Sequence, residues 1–177
     1  TSYKTGRPCV FESDLRTGVV SVIADKPGSN IAGNRSPDGS KIALTMSEAN
    51  SPELFVLSQN GKRFQRLTDN YAIDVSPTWS PDGAKLAYTS DAAGNPNIYV
   101  INSTGGDTRR LTFDGKYNSQ PSWSPDGKLI AYSRQDADGS HIYAVGENGG
   151  NETKITTEGN DTSPSWSPDG RYIVFSR

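Results

Sequence analysis

Four positions in the 177-residue chain carry polar, oxygen-bearing side chains at a near-constant interval: Asn30, Asp74, Asn118 and Asp161, separated by 44, 44 and 43 residues. Two carboxylates and two carboxamides brought together would form a polar, mildly acidic mouth. Oxygen ligands of that kind suit a hard cation such as calcium, or a basic group from a partner. The same residue types also cap turns by accepting backbone N–H groups two residues on, so a capping role stands beside the binding role. Elsewhere the chemistry is sparse. The single histidine, His141, lies in an apolar run, with no Gly-x-Ser-x-Gly elbow and no phosphate-cradling Gly-Lys-Ser/Thr loop to accompany it. One histidine and one cysteine, Cys9, leave a metal site short of ligands. No catalytic residue, metal site or cofactor is therefore expected.

Composition narrows the partners. With 18 basic and 20 acidic side chains the net charge is -2, which offers no basic face to displace counterions from phosphates, so nucleic acid is not an expected partner. No apolar run approaches the roughly 18 residues of a membrane span, and Thr1-Ser2-Tyr3-Lys4 lacks a basic-then-apolar leader pattern. The 18 glycines and 11 prolines argue against a bundle of long helices, while three tryptophans, eight tyrosines and a near-zero charge argue against disorder.

The elements that must hold the four Asn/Asp positions are set by a repeat. Ser-Pro-Asp-Gly recurs from Ser36, Ser80, Ser124 and Ser167, a period that marks an array of like units. Three copies extend to Ser76-Pro77-Thr78-Trp79, Gln120-Pro121-Ser122-Trp123 and Ser163-Pro164-Ser165-Trp166, whereas the first has Arg35 in place of the Trp. The second copy reads as strand A to Ser80, a Ser-Pro-Asp-Gly hairpin turn, strand B from Lys85 to Ser90, a turn at Ala93-Gly94-Asn95-Pro96, strand C from Asn97 to Ile101, and strand D from Thr108 to Phe113. Four antiparallel strands in about 44 residues make one propeller blade. The continuous apolar runs Ile98-Tyr99-Val100-Ile101 and Ile142-Tyr143-Ala144-Val145 suit strands covered on both faces.

The expected fold is thus an all-β propeller occupying residues 1–177 as a single domain. Its blades span roughly 28–69, 74–113 and 118–157, with a composite blade in which 162–177 supplies strands A and B and 1–25 supplies C and D. Such sharing would tie a ring of four shut; the alternatives are an open arc or two arcs pairing as a homodimer. Strand alternation turns Asn34, Thr78, Ser122 and Ser165 toward the axis and Trp79, Trp123 and Trp166 between blades. The B–C turns, Glu48 to Pro52, Asp91 to Pro96 and Gln135 to Gly139, share the mouth with Arg177 beside Thr5-Gly6-Arg7. Partner-binding positions expected there are Asn30, Asp74, Tyr117, Asn118, Gln120, Arg134 and Asp161, with Tyr117 and Arg134 as anchors because Tyr and Arg are over-represented among binding hot spots.

Asp74-Val75-Ser76-Pro77-Thr78-Trp79-Ser80-Pro81-Asp82-Gly83, Thr89 to Pro96 and Gly105 to Gly115 resemble the β-propeller of the bacterial TolB family over nearly the whole chain. The resemblance implies a non-enzymatic, periplasmic, protein-binding propeller of the Tol-Pal system that receives the lipoprotein Pal in maintaining the envelope and cell division. That family has six blades and an N-terminal α/β domain, neither of which this chain spans. The Ser-Pro-Asp-Gly blade also recurs in prolyl-type peptidases, so a gating propeller without its hydrolase, or a scaffold with no partner, are the competing readings.

Overall fold

The computed structural model describes residues 1–3, 6, 8–47, 51–58 and 64–177. Glu48, Ala49 and Asn50 of the first B–C turn, Thr5 and Arg7, and the Gly61 start of the first strand D lie outside them. Among the described residues the chain forms strands and no helix. A first antiparallel pair, β1 (Val10–Ser13) and β2 (Val20–Ala24), leads into three complete blades. These are β3 (Ser29–Arg35), β4 (Lys41–Ser47), β5 (Glu53–Ser58) and β6 (Phe64–Arg66); then β7 (Asp74–Trp79), β8 (Lys85–Ser90), β9 (Asn97–Asn102) and β10 (Arg109–Arg110); then β11 (Tyr117–Trp123), β12 (Leu129–Gln135), β13 (Ser140–Gly146) and β14 (Thr153–Lys154). A last pair, β15 (Thr162–Trp166) and β16 (Ile173–Ser176), closes the order.

Each blade is a meander because each turn specifies its hairpin. In the second blade the Ser80 hydroxyl donates to Asp82 Oδ1 at 2.6 Å and accepts the Lys85 N–H at 2.9 Å, while Asp82 Oδ1 accepts the Ala84 N–H at 3.0 Å. Gly83 takes φ 69°, a conformation side chains with a Cβ adopt at a cost. In the first copy the same bonds from Ser36 and Ser40 hold the Asp38 carboxyl down to about 2. Successive turns also touch: the space beside Gly127 is filled by Pro81 and that beside Gly170 by Pro125, so Pro of one blade seats the turn of the next.

The core lies between blades. Ala43, Leu54 and Val56 of the first complete blade meet Trp79, Leu86, Tyr88, Tyr99 and Ile101 of the second, and Ala87, Ile98, Val100 and Leu111 of the second meet Trp123, Ile130, Tyr132, Tyr143 and Val145 of the third. Burial on both faces explains why the C strands are continuously apolar.

The composite blade expected from 162–177 with 1–25 is not formed: β1–β2 and β15–β16 remain separate two-stranded sheets, and Val20, Val22, Tyr172 and Val174 are exposed. The layers between the blades are close-packed, and among the described residues no pairing joins β16 to β1.

Arg35 leaves its own mark. Its guanidinium pairs with Glu12 and donates to the Gly39 carbonyl at 2.5 Å, beside a crevice of about 720 Å³ lined in part by Asp14 and Asp38. Both partners of the ion pair are about one-third exposed, so it contributes little. Arg35→Trp is expected to raise stability by about 1–3 kcal/mol through added apolar burial, read as a shift in urea midpoint. A lowered midpoint would show that the Arg35–Glu12 contact outweighs the burial.

Candidate functional site

The inner strands begin on the face that carries the D–A connections and the B–C turns. Here the four Asn/Asp positions are brought to equivalent places, but not as an open acidic mouth: Asn30, Asp74, Asn118 and Asp161 are all fully buried. The expectation of a solvent-facing ring is corrected, because Asn30, Asp74 and Asn118 are turned inward to fasten their own connections and Asp161 is paired with Arg177. Asn30 Nδ2 donates to the Lys26 carbonyl at 2.8 Å and to the Pro8 carbonyl at 3.1 Å. Asn118 Nδ2 repeats this with the Asp114 carbonyl at 2.8 Å and with Asn97 Oδ1 at 3.1 Å. Their backbone N–H groups and those of Asp74 and Asp161 all reach the preceding blade, to the carbonyls of Pro8, Pro52, Pro96 and Ser140.

The two carboxylates differ in their neighbours. Asp161 accepts from Arg177 Nε at 2.9 Å and Nη2 at 3.2 Å, and the Arg177 interaction draws its carboxyl below the usual range. Asp74 accepts the Asn70 Nδ2 at 3.0 Å, while its Oδ1 has no donor. Burial pushes the Asp74 carboxyl up and the charge of Glu53 adds to this, which contributions from Ser90, Thr68 and Asn70 offset only in part. The cause is positional: the strand B residue that faces each Asn/Asp is Arg134 opposite Asn118 but Ser90 opposite Asp74.

Arg134, expected as a surface anchor, is 6% exposed. Its guanidinium is paired with Glu152, its Nε donates to Asn118 Oδ1 at 3.3 Å, and it lies 4.3 Å from the centre of the Tyr143 ring. It fastens the third blade from within. Tyr117 is 48% exposed, on the same face as the fully exposed Tyr71 and the largely exposed Phe113. Gln120 is exposed at a bulge with φ 56°; its Oε1 accepts the Ser163 N–H at 2.9 Å and its own N–H donates to Thr89 Oγ1 at 3.3 Å. Ser76 and Ser163 share φ 56° at the equivalent bulges. Asn34, Thr78, Ser122 and Ser165 line a cavity of about 430 Å³ with Gln120 and the bulge prolines, as strand alternation required.

A second periodic set went unread in the sequence. Glu53, Asn97 and His141, one per blade at the start of strand C, are buried, and Thr68, Thr112 and Thr156 accept the N–H groups of Leu54, Ile98 and Ile142 respectively, each at 3.0 Å. The signal was present in Leu67-Thr68, Leu111-Thr112 and Ile155-Thr156, which keep the same interval. Around His141, Asp136 and Asp138 bring their oxygens within 4.8 Å of the imidazole and of each other. The Lys154 ammonium stands 3.2 Å from Asp136 and 3.8 Å from Asp138, supplying the positive charge itself.

Antiparallel blades with their first strands on a hydroxyl-lined channel, and with connections gathered on one face, define a β-propeller. The chain belongs to the family of the TolB beta propeller domain, whose model matches residues 1–177. The Tol-Pal system protein TolB of Anaeromyxobacter dehalogenans is 42% identical over 79 residues, 45% of this chain and 18% of the relative. A crystal structure of TolB from Acinetobacter baumannii superposes with TM-score 0.87 at 34% identity over 97% of this chain and 43% of that one. The putative TolB from Agrobacterium tumefaciens gives 0.80 at 33% identity over 92% and 59%. The chain therefore spans only part of each of these relatives.

Proposed function

We propose that this propeller is a non-catalytic protein-binding module of the Tol-Pal system, periplasmic, which receives Pal on the face of the D–A connections and so serves envelope integrity and cell division. The observation that carries the reading is the pairing of exposed aromatic side chains, Tyr117 above all, with connections pinned from beneath by fully buried Asn and Asp residues. Rigid presentation of a few aromatic anchors lowers the ordering cost of docking. Tyr117 and Gln120 make contact; Asn30, Asp74, Asn118, Asp161 and Arg134 hold the surface in shape.

Titration calorimetry of the folded chain with Pal tests this. Tyr117→Ala is expected to weaken binding about thirtyfold, the size of a 2 kcal/mol hot spot, and Gln120→Ala to weaken it less. Absence of binding by the folded chain, or full affinity in Tyr117→Ala, would overturn the assignment.

A further inference from the structure

Each seam from the first complete blade onward closes on one residue at the start of strand C and one at the start of the next strand A. The pairs are Glu53 with Asp74, Asn97 with Asn118, and His141 with Asp161. The second is a carboxamide pair, bonded at 3.1 Å and indifferent to pH. The third joins a carboxylate to a basic ring and to Arg177. The first sets two buried carboxyls together, 2% and 0% exposed, bridged by one residue: the Asn70 N–H donates to Glu53 Oε1 at 3.0 Å and its Nδ2 to Asp74 Oδ2 at 3.0 Å.

The charge at this seam does not balance when both carboxyls ionise. Arg66 lies 3.2 Å from Glu53 but is shared with the exposed Asp69 at 2.8 Å. From β8 and β9 the facing titratable groups are Tyr88 and Tyr99, and the B–C turn brings Asp91, whose Oδ1 accepts the Ile73 N–H at 2.7 Å. Among the described residues Arg66 is thus set against Glu53, Asp69, Asp74 and Asp91, and Asp74 Oδ1 is buried with no donor. A proton on Asp74 removes the unbalanced charge; without it, a desolvated carboxylate faces a second one.

We propose that the Glu53–Asp74 joint is a proton-responsive seam: protonated Asp74 closes the junction between the first and second complete blades, and its deprotonation weakens the backbone bond from the Asp74 N–H to the Pro52 carbonyl. The raised Asp74 carboxyl accords with this. Because the seam lies directly beneath the D–A connection carrying Tyr71, the device would make that part of the face pH-dependent whatever it binds.

The molecule contains its own control, since the Asn118 N–H makes the same 2.9 Å bond to the Pro96 carbonyl at a seam with no carboxyl pair. The experiment is a side-chain carboxyl NMR titration of the 177-residue chain together with native-state hydrogen exchange, corrected for intrinsic rates. The protection of the Asp74 amide relative to that of Asn118 is expected to fall about tenfold as Asp74 loses its proton. Glu53→Gln should lower the titration midpoint, and Asp74→Asn should make the ratio independent of pH. An Asp74 that titrates in the native chain at or below the ordinary value of about 3.9, or a ratio constant with pH, overturns the proposal. Both of these are read on the unmutated chain, so a variant that fails to fold does not shield it.

Discussion

Trp79→Ala is expected to destabilise the chain by about 3–5 kcal/mol, the usual cost of deleting a buried large aromatic. Trp79 is 6% exposed and packs in the layer between the first two complete blades, against residues such as Leu54, Val56 and Tyr88. Its indole N–H also donates 2.9 Å across the seam to the Asn34 carbonyl. Truncation removes apolar burial, leaves a cavity that two stiff sheets resist collapsing into, and strands that carbonyl. Two further substitutions separate these effects. Trp123 fills the next layer, yet its indole N–H is buried without a partner. Trp79→Phe should therefore cost about 1 kcal/mol more than Trp123→Phe, the worth of one hydrogen bond. Urea unfolding followed by circular dichroism measures both. A Trp79→Ala cost below about 1 kcal/mol would mean that the layer reseals, contrary to a close-packed interior.

Asp74→Asn is expected to stabilise the chain near neutral pH, by on the order of 1–3 kcal/mol, the penalty attached to a buried polar group lacking its partner. The structure supplies the template. At the equivalent positions Asn30 and Asn118 use Nδ2 to reach the carbonyl four residues back, Lys26 and Asp114 respectively. An asparagine at 74 would reach the Asn70 carbonyl in the same way and remove one of two like charges. The sign with pH follows from the raised carboxyl of Asp74. Its folded form binds the proton more tightly than the unfolded chain does, so parent stability declines as pH rises from the ordinary carboxylate range through the raised value, and the penalty then persists. The advantage of Asp74→Asn is accordingly absent in acid, where both states are protonated, and grows through that window. Asp161→Asn should behave oppositely. The lowered carboxyl of Asp161 contributes stability above the ordinary range that is lost as pH falls through its folded value, so removing its charge destabilises at neutral pH. Thermal melts across the acid-to-neutral range decide between these, and a neutral-pH loss in Asp74→Asn would refute the first.

These opposite signs at two positions that look alike in the repeat show where sequence reading stops. The period, the Ser-Pro-Asp-Gly hairpins and the both-sides-buried C strands were legible because each rests on local chemistry: a turn fixed by Pro, Asp and Gly, or an apolar run bounded by turns. The channel-facing role of Asn34, Thr78, Ser122 and Ser165 was legible too, since strand alternation is geometric. The burial of the Asn/Asp positions was not, because an inward cap and an outward ligand use the same side chain. Nor was the burial of Arg134, expected as an anchor at the mouth, whereas Glu152 from a connection 18 residues on covers it.

By itself, then, the sequence determined the blade: its four strands, its turns, its interval, and the membership in the TolB propeller family that these features carry. Only the tertiary structure decided how the blades meet. It left the terminal strand pairs as separate sheets, and it placed Glu53 against Asp74 but Arg177 against Asp161. The reason is range: hairpins are specified within a few residues, whereas the charge and accessibility of a side chain are set by whichever distant segment packs against it.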